Sequence, residues 1–267
     1  MSLEVRSPQN DRETIQIPSE AAELATPFNG TICSHKGDEY RIQNNIIDLL
    51  TGEKPYSFAQ STNHWNLTAS VYEDLWRKRS LSILTGEEFP IDKEKKLLVE
   101  WIKPKPGGTY LDIGCSTALY ARALKKAEPE SRLVALDFST AMLQEARFMA
   151  EAEQSDMYLI RADGRELPFF GKTFDGVAMG GTLNELTDEL KVLFECRRIL
   201  KDDGVLFMMH LIKSEYWYGR LLQNSAEISG IQFWSREDSN DLFKRAGFRV
   251  EEQFCKGIVC FSKLLPI

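Results

Sequence analysis

The sequence predicts an α/β fold with a doubly wound, mostly parallel sheet of seven strands. From residue 109 onward, short apolar runs alternate with amphipathic segments, which is the pattern of repeated strand–helix–strand units. The last two predicted strands, near 248–255 and 257–264, are joined only by Lys256 and Gly257. Because a link this short permits no crossover, these two strands are expected to form an antiparallel hairpin.

Each element of the main domain follows from a local pattern. The apolar runs TYLDIG, RLVALD, MYLIRAD, FDGVAMGG and VLFMMHLI predict five buried strands. The segments ALYARALKKA, AMLQEARFMAEAE and 187–204 predict the helices between them. A further helix is expected to begin after Ser235, which is a residue type suited to an N-cap.

Ahead of this sheet the sequence divides into three segments. Residues 1–27 are polar and interrupted by prolines, which predicts a loose N-terminal segment. Residues 28–66 include two short predicted strands around a turn at 36–38, so they are expected to form a small β appendage. Residues 67–104 have a helical pattern and are interpreted as a lid over the main domain, residues 105–267.

Composition limits the class of protein. The 267 residues carry a formal net charge of −7, so we expect no general basic surface and no nucleic-acid partner. None of the five cysteines forms a C-x-x-C pair, which argues against a zinc knuckle or a redox pair. An odd cysteine count and a polar start without a signal-peptide core indicate a reducing, cytoplasmic location. No run approaches the roughly 18 apolar residues of a membrane span.

The stretch YLDIGCSTALYARAL, residues 110–124, has the outline of a nucleotide-binding loop after a strand. It keeps one glycine, Gly114, whose missing Cβ lets the backbone approach a ligand. Ser116 and Ala118 stand where further glycines would be expected, and the Cβ of Ala118 is expected to narrow the space beside the ligand. Asp137 follows Gly114 by 23 residues at the next strand end, where a carboxylate can bind ribose hydroxyls.

That spacing suits a dinucleotide and S-adenosylmethionine alike, and three features favour the second. Asp112 lies two residues before Gly114, where its charge would oppose a pyrophosphate but attract an ammonium and a sulfonium. Asp163 ends the third strand, precedes Gly164, and can accept a hydrogen bond from an adenine amino group. The C-terminal hairpin is also typical of enzymes that use S-adenosylmethionine.

Four stretches at the predicted strand ends carry a family resemblance. They are Asp112-Ile113-Gly114-Cys115-Ser116, Asp137-Phe138-Ser139 followed by Met142-Leu143, Arg161-Ala162-Asp163-Gly164, and FDGVAMGGTLNEL from residue 174. Through them, residues 109–265 resemble the class I S-adenosylmethionine-dependent methyltransferases of the small-molecule, UbiE-like kind. The resemblance implies a Rossmann-like methyltransferase fold, S-adenosyl-L-methionine as cofactor, and methyl transfer as the activity.

A narrower resemblance covers residues 71–90, VYEDLWRKRSLSILTGEEFP, which are similar to plant and cyanobacterial methyltransferases associated with plastoglobules. In those relatives the N-terminal piece looks like a cysteine-bearing zinc ribbon. Only Cys33 and His35 remain here of such a set, and two ligands cannot complete a tetrahedral site. We therefore expect a degenerate ribbon that binds no metal.

The motif positions give a set of expected cofactor-binding residues at the strand ends. These are Asp112, Gly114, Cys115, Ser116, Asp137, Phe138, Met142, Ala162, Asp163, Gly164, Gly180, Gly181 and Thr182. Capping of a helix or turn is the structural alternative for the aspartates, and packing in the core is the alternative for Phe138 and Met142.

Three residues are candidates for catalysis. His210, at the end of the fifth strand, is placed to act as a general base, with an inert, hydrogen-bonded histidine as the alternative. Glu185 follows the fourth strand near the expected methyl position, as do Thr182 and Asn184, although this stretch also reads as the polar start of a helix. Tyr72 lies on the lid helix, where packing alone would also explain it.

The expected reaction is O- or C-methylation of a small, lipophilic or aromatic acceptor. An aromatic-rich insertion at 214–235 is expected to roof the acceptor pocket, with a dimer face or plain core as alternatives. The expected partners are a small molecule, a second copy if the protein is not a monomer, and peripherally a membrane or lipid droplet. The competing functions are a non-catalytic binding module and, less favoured by the loop, a nicotinamide-dependent reductase.

Overall fold

A computed structural model describes residues 2–9, 13–51, 82, 84–86, 88–228 and 230–267. The strands are β1 Leu3–Arg6, β2 Thr14–Ile17, β3 Gly30–Cys33, β4 Glu39–Gln43, β5 Ile46–Asp48, β6 Thr109–Ile113, β7 Arg132–Asp137, β8 Tyr158–Arg161, β9 Phe174–Gly180, β10 Leu200–Leu211, β11 Phe248–Lys256 and β12 Val259–Pro266. The α-helices are α1 Ile91–Ile102, α2 Leu119–Ala127, α3 Thr140–Ala152, α4 Glu189–Ile199, α5 Trp217–Glu227 and α6 Arg236–Arg245.

The main sheet has the strand order β11-β12-β10-β9-β6-β7-β8-β5-β4-β3. The pairs from β10 through β9, β6 and β7 to β8 are parallel, and β12 and β11 close that end as an antiparallel hairpin. These seven strands confirm the predicted α/β class and the C-terminal hairpin. The sheet has ten strands rather than seven because β5 pairs in parallel with β8 and brings β4 and β3 with it.

The first 27 residues differ from the loose segment that the sequence analysis expected. Strands β1 and β2 form an antiparallel hairpin whose alternate residues Leu3, Val5, Ile15 and Ile17 are buried in the core. This alternation of apolar and polar residues outweighs the effect of Pro8 between the strands, because it gives the hairpin one face to bury. We refer to residues 2–51 as the N-terminal module.

Helices cover both faces of the sheet. On one face, α1, α2 and α3 pack through a cluster that includes Leu98, Ala121 and Leu143. On the other, α4, α6 and the β1–β2 hairpin pack through a cluster that includes Val192 and Phe243. Because both faces are covered, the site is expected at the edge of the sheet where the central parallel strands end.

Two helices depart from the sequence-based prediction. The helix expected to reach Gly204 ends at Ile199, because Leu200 already pairs with Phe174 as the first residue of β10. Helix α5 lies within the insertion 214–235, for which the sequence analysis named no helix. The N-cap at Ser235 is confirmed, since its hydroxyl accepts the Asp238 amide N–H at 3.0 Å.

Most of the expected lid, residues 67–81, lies outside the described residues.

The C-terminal hairpin contains a feature that spacing along the chain did not reveal. Its register places Cys255 directly opposite Cys260, and the two are joined by a disulfide. The rule applied to the sequence looked only for C-x-x-C pairs, so it missed a pair formed across two strands. None of the described helices is both long enough and apolar enough to cross a bilayer.

Candidate active site

Three acidic side chains meet at one edge of the sheet. Asp112 lies near the end of β6, Asp137 ends β7, and Asp163 follows β8. Because these strands are adjacent and parallel, their carboxyl ends lie together, and all three aspartates line one cavity of about 420 Å³. The structure thus brings together the carboxylates that the sequence analysis assigned to a cofactor.

The loop after β6 makes a close turn around Gly114. This glycine has a φ of +61°, and a Cβ on it would lie 2.2 Å from the Thr182 hydroxyl oxygen. Thr182 donates a hydrogen bond to the Gly114 carbonyl at 3.3 Å, which holds the loop after β9 against the loop after β6. No other residue type fits at position 114 without moving Thr182.

Ser116 and Ala118, which replace expected glycines, also adopt left-handed backbone conformations, with φ values of 50° and 58°. Glycine is favoured at such positions because a Cβ is strained there. Ala118 is fully buried and does not line the cavity. Its methyl group therefore strains the loop without narrowing the ligand space, contrary to the sequence-based expectation.

Asp137 organises the loops on both sides of it. Its carboxylate accepts hydrogen bonds from the amide N–H groups of Ser116 and Ser139, each at 2.9 Å. Asp112 similarly accepts the amide N–H of Ala121 at 3.1 Å. The capping roles considered as alternatives are therefore present in the structure, and both aspartates also line the cavity.

The Asp163 carboxylate forms an ion pair and a hydrogen bond with Arg165. The guanidinium of Arg165 lies 2.8 Å from its carboxylate, and the Arg165 amide N–H donates to the same group at 2.8 Å. Because Arg165 offsets part of this negative charge, the pair rather than the aspartate alone faces the ligand space.

The remaining expected cofactor residues lie in the wall of the same cavity. They are Cys115, Ser116, Phe138, Met142, Ala162, Gly164, Gly180, Gly181 and Thr182, together with Gly114. The Ser116 hydroxyl donates to the Met142 sulfur at 3.4 Å, so these two side chains fix each other. Gly180 is required by close packing, since a Cβ there would lie 2.5 Å from the Tyr120 ring.

Of the three catalytic candidates, Glu185 is the one that the structure places at the cavity. Its side chain is half-buried. Burial, and secondarily the charge of Asp137, raise the pKa of the Glu185 carboxyl to about 7. A carboxyl group with that pKa can accept a proton near neutral pH. Tyr72 lies outside the described residues.

His210 is not positioned as a base, which corrects the sequence-based expectation. It is fully buried on β10, its ring packs against Phe243 of α6 at 5.5 Å, and it does not line the cavity. Neither ring nitrogen has a hydrogen-bond partner among the described residues, so the hydrogen-bonded alternative is not seen either. Burial lowers the pKa of His210 to about 4, which keeps the ring neutral.

Asn184 has a role that its strand-end position did not specify. Its side-chain amide donates to the carbonyls of Leu211 and Gln232 at 2.9 and 2.6 Å and accepts the Leu211 N–H at 2.8 Å. The Asn184 side chain therefore connects the end of β10 to the segment after α5 through hydrogen bonds.

Sequence reasoning anticipated only part of the apolar cavity wall. Ala226 and Ile231 belong to the insertion expected to roof the acceptor pocket, and Leu84 belongs to the segment interpreted as a lid. Leu119, Met209 and Leu211 were not singled out, because no signal in the sequence separates them from other apolar residues of the domain.

Comparison with known proteins agrees with this geometry. A family model described as a methyltransferase domain matches residues 111–208. The chain is 38% identical over 166 residues to a demethylmenaquinone methyltransferase of Lysinibacillus sphaericus, with 54% of this chain and 70% of that protein covered. The chain belongs to the UbiE-type class I S-adenosylmethionine-dependent methyltransferases.

Two further similarities are more distant. An uncharacterized chloroplastic methyltransferase of Arabidopsis thaliana is 27% identical over 198 residues, covering 71% of this chain and 54% of that protein. The chain thus spans about half the length of this plant relative. A solved structure of a putative methyltransferase from Bacillus halodurans superposes with a TM-score of 0.55 at 22% identity, over 61% of this chain and 71% of that one, and so shares its fold.

S-adenosyl-L-methionine is the cofactor of this methyltransferase family, and the residues of the cavity fit it. Gly114, Ser116 and Thr182 all line the cavity, so the loops after β6 and β9 both border the space that a ligand would occupy. The carboxylates of Asp112 and Asp137 in the cavity wall fit a ligand that carries an ammonium and a sulfonium, whereas the charge of Asp163 is offset by Arg165.

Proposed function

We propose that this protein transfers the methyl group of S-adenosyl-L-methionine to a small lipophilic acceptor with a quinone or phenol ring, at a ring carbon or oxygen. The observation that supports this most is the mixed lining of one cavity. The strand-end carboxylates line it together with apolar side chains such as Leu84, Leu211 and Ile231. Such a lining suits a flat, water-poor acceptor beside a cationic donor.

Bound in this cavity, S-adenosyl-L-methionine supplies an electrophilic methyl group on a sulfonium. The protein then has to hold the acceptor in line with that methyl group and exclude water. Apolar side chains at Leu84 and Met209 keep water from the reacting pair. Glu185 can take the proton that a phenol or hydroquinone acceptor loses, since its pKa is raised to about 7.

The relatives favour a quinone-type acceptor. The Lysinibacillus sphaericus protein is named a demethylmenaquinone methyltransferase, and the cyanobacterium Trichormus variabilis has a relative named a 2-phytyl-1,4-naphtoquinone methyltransferase. We also propose that this protein is cytoplasmic and that it is a monomer or homodimer. We propose further that it reaches its lipophilic acceptor from a membrane surface.

Transfer of a labelled methyl group tests the acceptor class directly. The purified protein is incubated with methyl-labelled S-adenosyl-L-methionine and, separately, a reduced demethylated naphthoquinone, a catechol, or a fatty acid without a ring. We expect label in the ring compounds and none in the fatty acid, and mass spectrometry of the product shows whether carbon or oxygen carries it. Cofactor binding without transfer to any ring compound would favour the non-catalytic binding module.

Replacement of Asp137 tests the cofactor site itself. Asp137→Ala removes a carboxylate that both lines the cavity and holds two loop amides, so binding of S-adenosylhomocysteine should weaken by about 1–3 kcal/mol. Asp238→Ala is the matched control, because Asp238 accepts a backbone N–H at the start of α6, outside the cavity wall. Isothermal titration calorimetry gives both affinities, and equal affinities for the two variants would count against this site.

A further inference from the structure

The N-terminal module does more than widen the sheet. Strand β5 pairs in parallel with β8, and the register places Asp48 beside Arg161. Arg161 is the last residue of β8 and directly precedes Ala162, which lines the cavity. The module therefore contacts the strand end from which the cofactor site is built.

The Arg161 guanidinium connects the module to the loop after β7. One nitrogen, Nη1, donates to the Asp48 carboxylate at 2.9 Å. Another, Nε, donates to the backbone carbonyl of Phe138 at 3.0 Å. Phe138 follows Asp137 and lines the cavity, so a chain of contacts runs from Asp48 through Arg161 to the cofactor loop. A planar guanidinium held at two edges keeps one orientation.

The N-terminal module also contacts the segment that follows Asp163, but a residue of the main domain makes the same hydrogen bonds to that segment. Arg6 donates to the carbonyls of Leu167 and Phe169, both at 2.9 Å, in the segment that follows Asp163. Arg198 of α4 donates to the same two carbonyls at 3.0 and 2.6 Å. Loss of Arg6 would leave that segment held, whereas within the described ranges Asp48 is the one carboxylate paired with Arg161.

We infer that Asp48 is a positioning residue for the cofactor site, acting through Arg161 on the Phe138 carbonyl. The inference rests on the proposed function, because it concerns the binding of the same methyl donor. The pair is partly open to water, with side-chain exposures of 28% for Arg161 and 40% for Asp48, so its effect is modest and depends on salt.

The test measures binding of S-adenosylhomocysteine to the full chain by calorimetry. Asp48→Ala should weaken binding roughly two- to fivefold, the range for a partly exposed ion pair. Arg161→Met, which also loses the donor to Phe138, should weaken it about tenfold. The double variant should bind like Arg161→Met alone, because Asp48 acts through Arg161. In about 1 M NaCl the ratio between wild type and Asp48→Ala should shrink toward one.

Asp202→Ala is the control, since it breaks an exposed ion pair to Lys172 elsewhere in the molecule, and it should leave affinity unchanged. Asp48→Ala with wild-type affinity overturns the inference, as does a double variant whose loss is the product of the two single losses. If Arg161→Met does not fold, the salt dependence of Asp48→Ala decides alone. Wild-type protein that binds no S-adenosylhomocysteine overturns the proposed function and this inference together.

Discussion

Ala118 shows the cost of a single side chain at a position that favours glycine. Its φ of 58° puts a Cβ in the left-handed region, which costs roughly 1–2 kcal/mol. Ala118→Gly should therefore raise the free energy of unfolding by about 1 kcal/mol, even though glycine has more entropy to lose in the unfolded chain. Urea denaturation measures the change.

The control for that substitution lies one turn further along. Ala121→Gly, in the first turn of α2, places glycine in ordinary helical backbone and should lower the free energy of unfolding by about 1 kcal/mol. Opposite signs for the two variants are the expected result. Destabilisation by both would mean that the packing of the buried Ala118 methyl outweighs the strain of its left-handed backbone.

Glu185 should make stability depend on pH in an unusual direction. Its pKa is raised from 4.5 to about 7 in the folded protein, so the folded state holds this proton more tightly than the unfolded state. The contribution of Glu185 to stability is therefore lost as pH rises from about 4.5 to 7. Glu185→Gln removes the buried charge, so its Tm should exceed that of wild type at about pH 8 and match it at about pH 4.

Thermal melts of both proteins across this pH range measure the difference. Glu237→Gln, an exposed substitution in the first turn of α6, is the control and should show no such trend. A constant Tm difference at every pH would contradict a raised pKa at Glu185. Activity that rises through about pH 7 in wild type and not in Glu185→Gln would support its role as the base.

Among the elements, those with a clear local pattern were predictable, and those placed by tertiary pairing were not. Each central strand is a short apolar run, and Asp112, Asp137 and Asp163 mark the strand ends, so the central strands and the grouping of these carboxylates follow from the sequence. Strand β5 has only Ile46–Asp48, too short a pattern to separate from a loop. Its place beside β8 is set by tertiary pairing, which no local pattern encodes.

The same reasoning explains the error at His210. Its position at the end of β10 was read correctly, but the side chains of a strand alternate between faces, and the choice of face depends on packing. Phe243 of α6 covers His210 on the face away from the cavity. The side chain before it, Met209, lines the cavity instead.

At the scale of the whole molecule, the N-terminal module and the main domain share one core. Ile47 of β5 is fully buried and pairs with Ile160 of β8, and both belong to a single apolar cluster. Ile47→Ala should lower the free energy of unfolding by about 2–5 kcal/mol. Because the core is continuous, calorimetry should show a single transition that moves as a whole to lower temperature.

Thr31→Ala, on the exposed edge strand β3, is the control and should change the free energy of unfolding by no more than about 0.5 kcal/mol. Two separate transitions, with only one shifted by Ile47→Ala, would show that module and domain unfold independently. That result would also weaken the link from Asp48 to the cofactor loop.

The bond between Cys255 and Cys260 affects how the protein must be handled at the bench. While it is intact, the sulfhydryl groups number three, at Cys33, Cys115 and Cys196, and of these Cys33 alone is exposed. A maleimide dye added without reductant should therefore attach mainly at one place on the native molecule. Storage in dithiothreitol would release two additional sulfurs at the hairpin, and a dye conjugate prepared afterwards would no longer be homogeneous.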